Sequence, residues 1–148
     1  MKFLLALVFL ITTGATQAFV LKDAQTIGNV FGNKREIVRV IYDFSKDAGA
    51  TGDYTMLTAS NDVLVRMIGS KVITAAAGAS ATLDVGVGLT GQEYEAAGLV
   101  ATYALNAFVG GDVAGFTKLS SGSILNLGVN TAALTAGKIE FIFEVVKF

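Results

Sequence analysis

The sequence predicts an all-β chain: an antiparallel β-sandwich, jelly-roll-like, with at most one short helix, preceded by an N-terminal apolar segment and an arm. Three observations carry this. Apolar residues recur with a period of two in several short runs, the spacing of strands that bury one face. Glycine-bearing turns separate those runs at short intervals, as in sandwiches and jelly rolls. The chain has 148 residues, and a chain of about 150 residues buries about 68–70% of its unfolded surface, enough to form a core without disulfides.

Residues 1–18, MKFLLALVFLITTGATQA, place one lysine before an apolar run from Phe3 to Ile11 and close on small and polar residues. This is the order of a secretory signal cleaved before Phe19. The alternative is an uncleaved anchor or buried arm, with membrane contact through residues 3–20 only; the apolar core is short of the roughly 20 residues that span a bilayer. Residues 19–34 show no sustained period and read as an arm or linker. The body is expected over 35–148.

In REIVRVIYDF, Val38, Val40, Tyr42 and Phe44 share one face and Arg39 and Asp43 mark the other, which predicts a half-buried strand. SKDAGATGD (45–53) reads as a long hairpin loop. YTMLT is the second strand, ASND a turn, and VLVRMIGSKVIT a long strand bent or bulged at Gly69. AAAGAS (75–80) is a small-residue link. In the next strand Ala81, Leu83, Val85 and Val87 point inward, with Thr82 and Asp84 outward. GQEYEAAGLVATYALNAF (91–108) fits a helical turn followed by a strand. VAGFTKL holds a short edge strand. Leu125, Leu127 and Val129 point inward from SILNLGVN, and Phe141, Phe143 and Val145 form the apolar stripe of the last strand. Seven or eight strands result.

Composition narrows the function. Cys, His, Pro and Trp are all absent. Zinc sites of the usual ligands, thiolate chemistry and imidazole-based triads are therefore excluded. Eleven Lys and Arg stand against 12 Asp and Glu, without the basic stripe that a phosphate backbone requires, so nucleic acid is not an expected partner.

Four local patterns carry possible chemistry, and each has a plainer reading. Gly86-Val87-Gly88-Leu89-Thr90-Gly91 is a literal G-x-G-x-x-G with Asp112 downstream, but no second βαβ unit fits in the remaining chain, so a glycine-rich strand end is expected. Asp43, Asp47 and Asp53 bracket the Ser45 to Asp53 loop, where a weak calcium or ligand site stays open; their spacing is not that of an EF-hand, and solvated turn aspartates are the plainer reading. Glu93 and Glu95 could pair for glycoside hydrolysis, yet read better as solvated carboxylates. Ser120, Ser121 and Ser123 lack a histidine, leaving only a dyad with Lys118. Phe148 ends an alternating strand, but Glu140 and Glu144 lie in its series and would face lipid in a membrane barrel. No catalytic residue, cofactor or metal is assigned, and the chain is not expected to be an enzyme.

Three segments carry a resemblance: Tyr42 to Gly52 (YDF…AGATG), Ala77 to Gly86 (AGASATLDVG) and Ala132 to Lys138 (AALTAGK). Over about residues 35–146 the chain resembles small phage structural proteins: minor virion, head-fibre or capsid-decorating components. The resemblance implies a β-sandwich that works by assembling, as a homo-oligomer such as a trimer or on a symmetric lattice with other virion proteins. The secretory-looking N-terminus supports a rival, a secreted bacterial surface protein such as a filament or adhesion subunit. A carbohydrate-binding module is disfavoured by the lack of Trp and the presence of only four Tyr.

Overall fold

A computed structural model describes residues 18–28, 35–89, 91–111 and 115–147. Residues 1–17, where most of the signal or anchor is expected, lie outside the described residues, as do Thr90, Asp112 and Phe148. Ten strands are described: β1 (Ala18–Ile27), β2 (Arg35–Asp43), β3 (Gly52–Ala59), β4 (Val63–Ala77), β5 (Thr82–Val87), β6 (Glu95–Leu99), β7 (Phe108–Gly110), β8 (Thr117–Leu119), β9 (Ile124–Asn130) and β10 (Ala136–Lys147). One four-residue helix, α1 (Phe44–Asp47), and a 3-10 turn (Val100–Thr102) accompany them.

The strands form two sheets, ordered β1-β3-β9-β5-β6 and β2-β10-β4-β7, with β8 also on β4. From β2 onward the antiparallel pairs are nested: β2 with β10, β3 with β9, β4 with β7 and β8, and β5 with β6. The chain is thus one long hairpin wrapped into two facing sheets, the jelly-roll arrangement of two Greek keys. That topology explains why the 45–53 segment is not a hairpin loop. It joins β2 of one sheet to β3 of the other, and Tyr42 and Tyr54 hold it by donating their hydroxyls to the Ala48 and Ala50 carbonyls at 2.7 and 2.9 Å.

The core lies between the sheets. Val38, Val40 and Tyr42, then Leu83 and Val85, Leu125, Leu127 and Val129, and Phe141, Phe143 and Val145 are all buried, as their alternation predicts. Each such side chain contributes about 1.5–3 kcal/mol by leaving water. Tyr94 meets Phe143 edge-on with ring centroids 6.4 Å apart, and Tyr42 meets Tyr54 likewise at 6.0 Å.

The long strand β4 carries the bulges that Gly69 suggests. Ile142 and Phe143 of β10 are adjacent, but their partners are Gly69 and Met67, which leaves Ile68 unpaired. Ile73 is likewise extra between Val72 and Thr74. An inserted residue reverses the alternation, so Val63, Val65 and Met67 point inward at odd positions, and Ser70 and Val72 at even ones. Both displaced isoleucines are exposed. The small-residue link is shorter than expected, because β4 runs on to Ala77.

Two further elements differ from the expectation. In the 91–108 stretch the strand comes first, as β6 pairing with β5, and the helical turn follows. Here long-range pairing with β5 overrides the local reading of the sequence. Residues 18–27, placed by the sequence in a segment ahead of the body, form β1, which pairs in parallel along β3.

Candidate assembly surface

The residues singled out as possible chemistry serve the fold. In the glycine-rich run, Gly86 lies under Gly91: an ideal Cβ on Gly86 would sit 1.9 Å from the Gly91 carbonyl carbon. The amide of Val87 donates to Glu93 Oε2 at 2.8 Å and that of Gly88 to the Ile124 carbonyl at 2.9 Å. Those N–H groups are thus engaged within the chain, whereas a phosphate cradle needs them aimed at the ligand.

Nor do the three aspartates converge. Asp43 caps α1, accepting from Ser45 N at 3.1 Å, and pairs with Lys138 at 3.2 Å. Its hydrogen bonds from Ser45 and Lys138 hold the carboxyl below the usual aspartate range. Asp47 accepts from the backbone of Lys22 and Asp43 at 2.7 and 2.8 Å. These two aspartates line a cleft of about 140 Å³ with Lys22, Lys46 and Lys138. Asp53 is instead buried in β3. It is no turn residue, because the helix and crossing end before it.

Glu93 and Glu95 separate. Glu93 is exposed, whereas Glu95 is only 8% exposed and accepts from the buried Tyr103 hydroxyl. The expectation of two solvated carboxylates therefore fails for Glu95, which the β6–β5 pairing carries indoors. Burial raises its pKa, with the nearby Asp84 charge adding to the effect. Asp84 does point away from the core, as its alternation predicts, but it is only 2% exposed. The segment after Gly88 folds back over it, and Gln92 and Asn130 donate to it at 3.2 and 2.7 Å. Burial, followed by the charge of Asp53, outweighs these bonds and raises the Asp84 pKa. Asp53 and Asp84 both pair across to Gly128 of β9, whose missing side chain gives the Asp84 carboxylate its room.

Lys118 is bound to Asp62 at 2.7 Å, and Ser121 donates its hydroxyl to the Ser60 carbonyl, so these groups tie the β8–β9 turn to the β3–β4 turn. All four tyrosines are buried in the core, where none can stack on a sugar.

The outer face of the β2-β10-β4 sheet presents a broad, organised surface. From β2 come Arg35, Ile37 and Arg39, from β10 Glu140, Ile142, Glu144 and Val146, and from β4 Leu64, Arg66, Ile68 and Lys71. Glu144, 7% exposed at its side chain, lies between Arg35 at 3.0 Å and Arg66. Glu140 pairs with Arg39 at 3.3 Å. The carboxylates are sunk and the guanidinium groups ride above them, with Arg35 and Arg39 exposed by 73% and 59%. Phe108, 59% exposed, lies across Gly69, and Arg66 sits 5.1 Å from the centre of the Phe116 ring. Arginine and aromatic side chains around an aliphatic centre are the composition of protein interfaces. The sequence marks Glu140 and Glu144 as outward. It does not reveal that arginines 101 and 109 residues away cover them.

β1 closes one side of the sandwich. Four residues, Leu21 to Ala24, stand between its paired Val20 and Gln25, against the single Met56 on β3. This large bulge reaches to the free edge of β2, where Asp23 accepts from Ile41 N at 2.8 Å and Gln25 donates to the Arg39 carbonyl. Side chains thus occupy the backbone groups that an exposed edge would offer to another strand.

No protein-family model and no curated protein matches the chain. Among solved structures, it is similar to a chain described as "Cyanophage Pam1 capsid asymmetric unit", at TM-score 0.57 and 16% identity, covering 81% of this chain and 89% of that one. At that identity the likeness is one of fold.

Proposed function

We propose that the chain is a non-enzymatic structural component of a virion, a capsid-decorating, head-fibre or minor capsid protein, that works by assembling with itself and with other virion proteins. The observation that carries this reading is the extent of the fold likeness. It takes in 89% of a chain from a phage capsid unit and 81% of this one, so the shared fold spans most of both chains. A fold alone does not fix a function, but the surface agrees with the reading. Many of its charged side chains are engaged in ion pairs and caps, and its broadest organised feature is a face suited to contact with protein.

The test is composition of particles. Virions of a phage that carries the gene for this chain, purified through two density gradients, should contain the chain at a fixed ratio to the shell protein, and averaged particle density should show a jelly roll at symmetry-related positions. Absence from particles, or isolation as cell-surface fibres with Phe19 as the first residue, would favour the secreted filament or adhesion subunit and overturn the proposal.

A further inference from the structure

We infer that the β10-centred ion nodes on the outer face of the sheet bind an extended acidic segment of a partner protein, one in which two carboxylates four residues apart flank an apolar side chain. β10 carries both acids of this face, and each has a cation on either side. Arg35 and Arg66 contact Glu144, while Arg39 contacts Glu140 and Lys71 stands opposite it in the strand register. Four cations thus surround two carboxylates, and each node keeps one positive charge in excess.

The acids lie below and the cations above. Glu144 and Glu140 are 7% and 15% exposed at their side chains, so a partner meets the positive ends. Each guanidinium uses one nitrogen on its glutamate: Nη1 of Arg35 and of Arg39, and Nη2 of Arg66. A guanidinium has five N–H donors in a planar fork, and the others make no hydrogen bond among the described residues. The sunk carboxylates hold the forks without neutralising the nodes, and a fork held in this way is pre-organised for a second carboxylate.

Spacing selects the kind of partner. Glu140 and Glu144 are four residues apart on one strand, which separates the nodes by about 13–14 Å. Ile142 stands midway on β10, with Ile37 of β2 and the bulged Ile68 of β4 exposed to either side. An extended segment laid along β10 presents residues i, i+2 and i+4 to the face at the same interval, in the order acid, apolar, acid. A nucleic acid duplex, with a charge about every 1.7 Å along its axis, would set phosphates over the isoleucines. A second copy of the face would oppose positive charge with positive charge.

The probe is the peptide Thr-Glu-Thr-Ile-Thr-Glu-Thr, titrated at low salt into the ¹⁵N-labelled full chain and followed by amide chemical shifts. Two charge-assisted contacts correspond to a dissociation constant of about 0.05–5 mM, with the shifts centred on Ile37, Arg66 and Ile142. Arg66→Gln should raise the constant at least about tenfold and Lys71→Gln at least about threefold. Lys46→Gln, which changes the net charge equally but lies on α1, should leave it within about twofold, since exposed charges further apart than about 10 Å are screened. Moving the two glutamates to i and i+2 of the peptide should weaken binding at least about threefold, as one node then goes unfilled. Circular dichroism checks the fold of each variant; should Arg66→Gln not fold, Lys71→Gln, at an exposed position, decides. Absence of shifts on this face, binding indifferent to glutamate spacing or to Lys71→Gln, an equal loss with Lys46→Gln, or tighter binding of a twelve-base-pair duplex to the same amides would overturn the inference. No capsid enters this measurement, so its outcome is separate from that of the virion proposal.

Discussion

Gly86→Ala puts a methyl group where the backbone of another segment already lies. Its ideal Cβ would be 1.9 Å from the Gly91 carbonyl carbon, 2.2 Å from the Gly91 oxygen and 2.4 Å from Gln92 N. Carbon atoms in contact stand about 3.5–4.0 Å apart, so the segment must retreat by about 1.5–2 Å. Three of the hydrogen bonds that hold it in place are Asn126 Nδ2 to the Gly88 carbonyl at 2.7 Å, Gln92 Nε2 to Asp84 at 3.2 Å, and Tyr94 N to the Val85 carbonyl at 3.0 Å. At about 0.5–1.5 kcal/mol each, their loss costs about 1.5–4.5 kcal/mol, a large share of the roughly 5–15 kcal/mol that stabilises a domain. At roughly 4 °C per kcal/mol for a chain of this size, Tm should fall by about 6–18 °C.

Two other glycines calibrate the effect. Gly88 has φ +69° with nothing within 4 Å of its ideal Cβ, so Gly88→Ala should cost only the left-handed backbone penalty of about 1–2 kcal/mol. Gly110 has open space and no such φ, so Gly110→Ala should lie within about 0.5 kcal/mol of the parent. Urea and thermal unfolding of the three variants should rank Gly86→Ala as the most damaging. If Gly86→Ala proves no worse than Gly88→Ala, the segment does not pack on the sheet as described, and the structural explanation of the glycine run fails.

Glu95→Gln should raise Tm at neutral pH by the equivalent of about 1–3 kcal/mol, because it removes a buried charge and keeps an oxygen for the Tyr103 hydroxyl. Since the Glu95 pKa is raised in the fold, its contribution to stability is fully present below the ordinary glutamate value of 4.5 and is lost as pH rises through the folded pKa. The variant should therefore flatten the decline of Tm from pH 4.5 upward, and an unchanged pH profile would remove the buried carboxyl from the account. Asp23→Ala with Gln25→Ala uncaps the β2 edge at a cost of about 0.5–1.5 kcal/mol per bond. Light scattering should then show assemblies larger than those of the parent, as an open strand edge promotes. Unchanged scattering together with unchanged stability would show that the β1 bulge is not the guard of that edge.

Strand faces were legible in the sequence because alternation is a local property: Phe141, Phe143 and Val145 point inward whichever strands flank them. The turn glycines and the bulge at Gly69 were legible for the same reason. Glu140, Ile142, Glu144 and Val146 could likewise be placed together on one outward face. That Arg66 and Lys71 stand beside two of them could not, since register across β10 and β4 depends on bulges that insert residues into the alternation.

Composition by itself removed imidazole and thiolate chemistry, and periodicity by itself predicted an all-β sandwich. Tertiary structure alone decided the nested pairing of the strands and the bulge by which β1 reaches β2. It also decided the burial of Asp84 beneath the segment after Gly88 and the screening of Glu144 by Arg35 and Arg66. Each of these depends on hydrogen bonds or ion pairs between residues far apart in the chain, and no local pattern of side chains encodes which distant strand supplies the partner.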